Sequence, residues 1–556
     1  MTTVLGLTGL EPYSENTHDS SACITDKAKI IGAVSEERFT RNRHHAGFPW
    51  MSVNYLLKLG YLYSDVDAVA IPWPLEKNTS KKLKIVKQLY SAIPRFKAEF
   101  HRPILPFEKK KIIGIGHQRA HAASAYRTSG FKKALVVSLD LGGSEEDVVN
   151  AEGGIFVGEN GNLKRIKAFT SGFGMFYAFV TEGLGFRAVD GEGKTMGLAA
   201  YGDPHTGAYK SLKNYASTVR GIDLIKQKRN FKASFAVVNN YQRFVFNDLN
   251  RIRSLVKRFS DKDVAAAAQK ILEERVTELI ENALKETGMN KLCLAGRVFL
   301  NVKLNKKLRE LKKVKDIYIY PNPGDAGTVV GAALEAHHNL TGEKTIPQVE
   351  NNVYLGPEYS DSEIEAVLKK NRGLSYRKTS DPSGDAAELI SRGRIIGWFQ
   401  GRMEWSSRAL GARSILAAPH DVKIKEKLNS RLKQQDFSAF APSILLRDAH
   451  EYLKNPSESP FMLMAYDVLL KARDDIAATV HTDNTVVPQT VTKEQNPLYY
   501  DLIREYDKMT GVPAVLHTSL RRHNWPIVCT PEDALDYLFM KCVDYLVIGN
   551  FIVKLK

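Results

Sequence analysis

Three segments rich in β-branched residues and leucine run straight into glycine: VLGLTGL at the start of the chain, KALVVSLDLGG ahead of Gly143 and KLCLAG ending at Gly296. Each reads as a buried strand that delivers its following loop to one edge of a sheet, and helical stretches lie between them, so the layout is α/β. The clearest helical stretch spans 263–287 and meets a stop signal in Gly288. Residues 344–356 (KTIPQVENNVYLG) lack helical periodicity and carry proline, which predicts a domain boundary there, with one domain over 1–348 and a second over 349–556. The second is expected to open on a helix over 361–370, followed by the strand RIIGWFQ. The sequence shows no internal repeat.

A chain of 556 residues exceeds what one hydrophobic core supports, which agrees with two domains. The opening MTTVLGLTGLEPYS has no basic segment followed by a long apolar one, and no stretch approaches the roughly 20 apolar residues that span a bilayer, so a cytoplasmic protein without membrane partners is expected. Cys23, Cys293, Cys529 and Cys542 are far apart and form no CxxC pair, which argues for reduced core thiols. The charge is less ordinary. Lys and Arg number 79 against 62 Asp and Glu, a net +17, and a basic surface of that size favours a polyanionic partner. Two stretches, 77–111 and 210–259, interleave basic residues with Tyr and Phe, a pattern that pairs with phosphates and stacks on bases. Lys226, Lys228 and Arg229 are the candidate nucleic-acid contacts; solvated helix faces are the alternative.

The sharpest chemical signal is GHQRAHAASAY, in which His117 and His121 are four apart and stand one turn apart on a helix face, a spacing that can grip a divalent metal. Asp325 in YPNPGDAGTVVGAAL is the candidate third ligand. In SLDLGGS, Asp140 precedes Gly142 and Gly143, whose exposed amides could cradle a phosphate. His18 and Asp19 in NTHDSSACI follow a glycine-marked strand end, where a neutral His can act as a general base. Each signal alone has a plain structural reading: paired surface histidines, a helix cap, a hairpin turn.

Together the segments HDSSA, SEERFTR, GHQRAHAASAY, GEGKTMGLAAYG, LAGRVFLN, NPGDAGTVVGAAL, GRMEWSSRALGARSIL, FAPSIL and TSLRRHNWPIVCTPEDAL occur in the order found in the NodU/TobZ-type O-carbamoyltransferases, and the chain resembles that family over nearly its whole length. The resemblance implies an N-terminal actin-like ATPase fold of the TsaD-like branch and a C-terminal YrdC-like α/β domain. It implies ATP with Mg2+, carbamoyl phosphate, a carbamoyl-adenylate and transfer to an acceptor hydroxyl. By the same resemblance a divalent metal, typically Fe2+, is held by His117, His121 and Asp325 with Asp140 nearby, and His18 beside Asp19 is the base. Gly142, Gly143, Lys194, Gly296 and Asn301 fall at the nucleotide. Arg402, Glu404, Arg408, Arg413, Lys433, Ser519 and Arg521 fall at the carbamoyl phosphate.

The sequence departs from the family pattern at four of these places. The usual AGG reads AGR at Arg297, an arginine is replaced by Val487, another expected near Ser438 is missing, and the Asn after the TS pair is Arg521. Arg521 and Arg522 are candidates to restore the missing charge. The excess of basic residues points to a hydroxymethylated pyrimidine in DNA, such as 5-hydroxymethylcytosine, as acceptor. A small-molecule or sugar hydroxyl is the alternative, and an inactive nucleotide-binding regulatory homologue is the second. A threonylcarbamoyl-type tRNA-modifying enzyme is disfavoured by the domain order.

Overall fold

The computed structural model describes residues 2–9, 18–75, 110–148, 150–225, 233–238, 241–246, 248–343, 352–433 and 440–556. Lys226, Lys228, Arg229 and Ser438 lie outside the described residues, as does most of the basic stretch 77–111. The chain forms two compact α/β units, Met1–Glu350 and Asn351–Lys556.

The first unit contains β1 (Thr3–Leu7), β2 (Ser21–Asp26), β3 (Lys29–Ser35), β4 (Ala68–Ile71) and β5 (Lys111–Gly114), paired in the order β3-β2-β1-β4-β5. A second sheet is built from β6 (Lys133–Leu139), β7 (Gly153–Glu159), β8 (Asn162–Phe169), β9 (Lys291–Ala295) and β10 (Asp316–Ile319), in the order β8-β7-β6-β9-β10. In each sheet an antiparallel meander of three strands is extended from its first strand by two parallel strands. The same topology therefore occurs twice, a repeat of architecture that leaves no trace as a repeat of sequence. All five residues of β1 are buried, which is why that segment is apolar without alternation.

Helix Thr328–Thr341 packs on the first sheet, helix His117–Thr128 on the second, and the two helices pack on each other. Their crossing is close enough that a Cβ on Gly331 would stand 2.7 Å from the Ser124 nitrogen and closer still to the Ala120 carbonyl oxygen. Across the same interface Arg127 donates to Glu335 through Nε at 2.8 Å and Nη2 at 2.6 Å, both groups buried. Helix Asp261–Thr287 is capped by the Ser260 hydroxyl, which accepts from the Asp263 amide, and ends at Gly288 in the left-handed region.

The second unit is organised by an eight-stranded mixed sheet whose central strands include Ile396–Phe399, Arg413–Ala417 and Ala514–Ser519. Its core gathers Trp398, Ile415, Leu516, Tyr506 and Val547, each at 0% exposure; burying one aliphatic or aromatic side chain of this size contributes about 1.5–3 kcal/mol. The helix Asp361–Lys370 opens this unit behind a capping box of Ser360 and Glu363. Among the described residues no helix is long and apolar enough to cross a membrane.

Candidate functional site

The two packed helices of the first unit and the end of strand β6 bring four candidate ligands to one point. Helix His117–Thr128 begins where Glu145 accepts hydrogen bonds from the amides of Gln118 (2.6 Å) and Arg119 (3.1 Å), an acid meeting the positive end of the helix. His117 is thereby fixed in the first turn, with His121 below it. Gly143 allows His117 its position, because a Cβ there would stand 2.2 Å from His117 Cδ2 and 2.3 Å from its Cγ, so the ring would have to shift. Asp140 ends the strand β6, and Asp325 opens the turn before helix Thr328–Thr341.

The ligand atoms of His117, His121, Asp140 and Asp325 all lie within 4.8 Å of one another. His117 Nε2 is 3.4 Å from Asp140 Oδ2 and 3.7 Å from Asp325 Oδ1; His121 Nε2 is 3.4 Å from each of those same oxygens. Four ligands about 2.0–2.1 Å from a tetrahedral ion stand roughly 3.3–3.4 Å apart, so these separations fit one divalent ion. A second observation agrees: His121 Nε2 and Asp325 Oδ1 are both buried with no hydrogen-bond partner, a costly state that a shared cation relieves. Burial works against a proton on His121, but the Asp140 and Asp325 carboxylates facing it push its pKa up to about 9. Burial likewise opposes the Asp140 charge, yet His117 and His121 hold its pKa well below the usual carboxylate range. An imidazole between two carboxylates holds either a proton or a share of a cation, and an ion that enters displaces the proton.

His18 and Asp19 border this group. His18 Nε2 is 3.3 Å from Asp325 Oδ2, and its Nδ1 is 2.8 Å from Asp19 Oδ2. Sequence reasoning missed the continuation. His44 places Nδ1 2.6 Å from Asp19 Oδ1 and Nε2 2.9 Å from Asp190 Oδ1, and Arg43 reaches the same Asp190 oxygen at 2.9 Å. Burial would lower the His44 pKa, but Asp19 and Asp190 raise it to about 9. Asp19 is opposed by burial and held well below its usual range by Arg297 and His44. Asp19 and His44 both have left-handed φ, 55° and 54°, and Val189 beside Asp190 has 77°, strain that marks a site held by its surroundings. The only signal in the sequence was the histidine pair that follows SEERFTRNR.

The residues assigned to nucleotide by resemblance divide. Gly142 lies open, and Gly296 turns the chain at φ 100° directly before Arg297. Lys194 stands over the Phe186 ring at 5.7 Å. Asn301 is occupied by the fold: its Oδ1 accepts from the Leu304 amide at 3.0 Å and from Gln269 Nε2 at 3.0 Å, while its Nδ2 donates to Gln269 at 2.8 Å.

In the second unit the arginines also divide. Arg413, at 0% exposure, donates to the carbonyls of Gln400, Ala412, Pro357 and Gly401 at 2.9–3.0 Å and stacks on Phe399 at 3.7 Å. Arg402 donates to the carbonyls of Gly356 (3.3 Å) and Leu355 (2.7 Å). Glu404 accepts from the amides of Leu410 (2.6 Å) and Arg413 (3.3 Å), bracing the loop between them. Arg408 differs. Its guanidinium has no hydrogen-bond or ion-pair partner among the described residues, and burial alone lowers its pKa to about 10. Beside it Ser407 Oγ is buried without a partner, and Ser519 Oγ accepts from the Ala409 amide at 2.9 Å. Lys433 is exposed at the end of helix Val422–Leu432, the Arg521 amide donates to the Ser519 carbonyl at 2.7 Å, and Val487 is buried. The Arg522 guanidinium lies against Met540 Sδ at 3.1 Å.

The chain thus has two α/β units, one with a four-residue group that could hold a divalent ion and the other with a desolvated arginine that has no partner among the described residues. Residues 8–102 and 81–334 match the family model of the carbamoyltransferase N-terminus, and residues 387–555 that of the carbamoyltransferase C-terminus. The chain belongs to the carbamoyltransferase family. It is 32% identical to the nodulation protein NolNO of Sinorhizobium fredii over 586 residues, covering 99% of this chain and 82% of that protein. It is 33% identical to the nodulation protein NolO of Bradyrhizobium diazoefficiens over 449 residues, 79% of each. Among solved structures, full-length HypF in its phosphate- and nucleotide-bound form aligns with a TM-score of 0.33 at 15% identity, over 62% of this chain and 56% of HypF, too slight a likeness to assign a fold.

Proposed function

We propose that the chain is a metal- and ATP-dependent O-carbamoyltransferase. Residues 349–556, similar to YrdC, activate carbamoyl phosphate as carbamoyl-adenylate, and residues 1–348, similar to the TsaD-like branch of the actin-type ATPases, pass the carbamoyl group to a hydroxyl. The observation that carries this reading is the group His117, His121, Asp140 and Asp325, with its two orphaned buried atoms aimed at one point. The doubled sheet topology of the first unit supports the ATPase-type assignment.

Transfer forms a bond between the acceptor oxygen and the carbamoyl carbon, breaks the bond from that carbon to the adenylate oxygen, and releases one proton; AMP leaves with the electron pair. Asp19 accepts the Nδ1 hydrogen of His18, which leaves Nε2 to take the acceptor's proton. The charges beside Asp19 keep it ionised for that task. A divalent ion at the four ligands, iron by resemblance, would polarise the carbamoyl carbonyl. In the second unit Arg408 is the direct phosphate contact, with Ser519, Lys433 and Arg521 around it, while Arg402, Glu404 and Arg413 shape the loop. ATP with Mg2+ binds near Gly142, Gly143, Gly296 and Lys194. The test is incubation with ATP, carbamoyl phosphate and a panel of hydroxylated acceptors, read as pyrophosphate release and a mass gain of one carbamoyl group. Neither signal with any acceptor refutes the reading and favours a nucleotide-binding regulatory homologue.

A second reading concerns the acceptor: a hydroxymethylated pyrimidine in DNA. The observation favouring it is helix Leu249–Phe259, which presents Arg251, Arg253, Lys257 and Arg258 outward and contains no acid beyond its N-cap Asp248. Part of its apolar side is already used, with Ile252 buried against Gly183 and Phe259 partly buried against Gly207. Helix Phe173–Gly183 connects it to the centre: Gly183 touches Ile252 and Gly174 touches the Asp140 carbonyl, a separation of about 14 Å along the axis. Four phosphate contacts give a slope of log affinity on log salt of about −3.6, and each cation changed to alanine removes about 0.9. No DNA affinity at low salt, with efficient carbamoylation of a sugar or small-molecule hydroxyl, removes the DNA acceptor and leaves the transferase.

A further inference from the structure

Arg297 stands where the resembled family has glycine, and its side chain turns back into the transfer site. Its amide donates to Asp140 Oδ1 at 3.1 Å, while its Nη2 donates to Asp19, lies 3.4 Å from Asp325 Oδ2 and is 2.9 Å from His18 Nδ1. Those three partners form a group of their own: the ligand atoms of His18, Asp19 and Asp325 all lie within 4.8 Å of one another. The two groups share Asp325, whose Oδ1 faces the histidine pair and whose Oδ2 faces His18 and Arg297. One carboxylate with its two oxygens turned to adjacent ligand sets is the arrangement of a two-metal centre, in which the ions stand about 3.5–4 Å apart. Here the second set is filled by a guanidinium nitrogen, a cation that stands in for a metal ion.

We infer that Arg297 is a resident cation in place of a second divalent ion, so that this centre takes one metal, and that shortening Arg297 opens a second divalent-metal site on His18, Asp19 and Asp325. The placement of the charges supports this. Asp19, Asp140 and Asp325 converge on a nearly closed space, and the Arg297 guanidinium approaches all three, the position in which a second cation would stand. The guanidinium is committed to these groups, with Nε buried, unbonded and 3.8 Å from Asp140 Oδ1, rather than directed to solvent. Arginine differs from an ion in holding no exchangeable water, so the second position supplies fixed charge and no second activated nucleophile.

The inference rests on the four-ligand group holding one ion, and metal counting separates the two claims. The full-length chain is stripped with chelator and titrated with Mn2+ alone, with bound and free ion read by electron paramagnetic resonance. The wild type is expected to bind one Mn2+ per chain. Arg297→Gly and Arg297→Ala are expected to bind two, with the broadened spectrum of a coupled pair. Arg297→Lys, which keeps a cation, is expected to stay at one, and Asp19→Asn added to Arg297→Gly to return it to one. Circular dichroism melts establish that each variant is folded. Two ions in the wild type overturn the inference whatever the variants do, as does one ion in folded Arg297→Gly and Arg297→Ala. No ion in the wild type defeats the four-ligand reading and the inference with it.

Discussion

The crossing of the two ligand-bearing helices at Gly331 gives a prediction in which two effects oppose each other. Gly331→Ala sits in the interior of helix Thr328–Thr341, where alanine is favoured over glycine by about 1 kcal/mol from propensity alone. The new methyl, however, would stand 2.7 Å from the Ser124 nitrogen and 2.8 Å from the Ala120 carbonyl carbon, both backbone atoms that no rotamer change can move. The Ala120 carbonyl oxygen would be nearer still, at 1.8 Å, so ordinary contact requires the backbones to part by more than an ångström there, and overpacking a close-packed interior costs about 1–3 kcal/mol. Contact with rigid backbone puts the cost at the upper end, so the net expectation is a loss of about 2 kcal/mol. His121 on one helix and Asp325 at the head of the other are 3.4 Å apart across this crossing, so the same displacement widens the ligand group and weakens metal binding. Urea unfolding gives the first quantity and Mn2+ titration the second. Gly193→Ala is the control: it lies in helix Glu192–Ala199 with open space around the added Cβ, and should be neutral or stabilising. If Gly331→Ala is as stable as the wild type and binds metal equally well, the helix crossing does not set the ligand geometry.

His117→Ala and Asp325→Ala each remove a ligand and are expected to drop bound metal to background by elemental analysis while the fold persists; full metal content in both would refute the centre. Arg408→Ala is expected to abolish carbamoyl phosphate-dependent pyrophosphate release without lowering stability, since the side chain is desolvated and unpaired, whereas Arg413→Ala removes four hydrogen bonds from the loop, takes the donor from the Gln400 and Gly401 carbonyls while Ala412 and Pro357 keep the amides of Gln400 and Met403, and should cost about 3 kcal/mol in urea unfolding. His517 donates or accepts between Ser414 (2.9 Å) and Ser443 (3.0 Å), and burial, then Arg408, lowers its pKa to about 3. Above its unfolded pKa of about 6.5 it is neutral in both states, and below that the unfolded chain takes a proton the folded chain refuses, so stability falls by about 1.4 kcal/mol per pH unit from about 6.5 toward 3. His517→Gln should lack that component when unfolding is compared at pH 7 and pH 5, and an unchanged pH dependence would place the His517 proton elsewhere.

What the sequence made legible follows from the range of the interactions concerned. The strands ending at Leu7, Leu139 and Ala295, the helix stopped by Gly288 and the helix over 361–370 are set by neighbours within one or two turns, and the pattern displays them. The spacing of His117 and His121 is equally local. The shared topology of the two five-stranded sheets was invisible, because a sheet order is a set of pairings over long separations, and different residues satisfy the same burial.

The functional arginines show why composition and motif position stop short of the site. Arg402, Arg408 and Arg413 lie within one motif and have the same side chain, so nothing in the sequence ranks them. The structure ranks them by what each guanidinium already touches. Arg413 and Arg402 bond backbone carbonyls, which braces the loop that carries Arg408, and the Arg408 guanidinium is desolvated without a partner among the described residues. In the first unit the order is reversed: Arg297 departs from the family pattern, a substitution that reads on paper as damage to a glycine turn, yet its side chain is bonded to the same carboxylates that approach the metal ligands. A buried cation among carboxylates is retained only where close, well-paired contacts offset its desolvation. The convergence of Asp19 and Asp325 on one point is a property of the site itself, and a guanidinium and a divalent ion are the two cations this fold can place there.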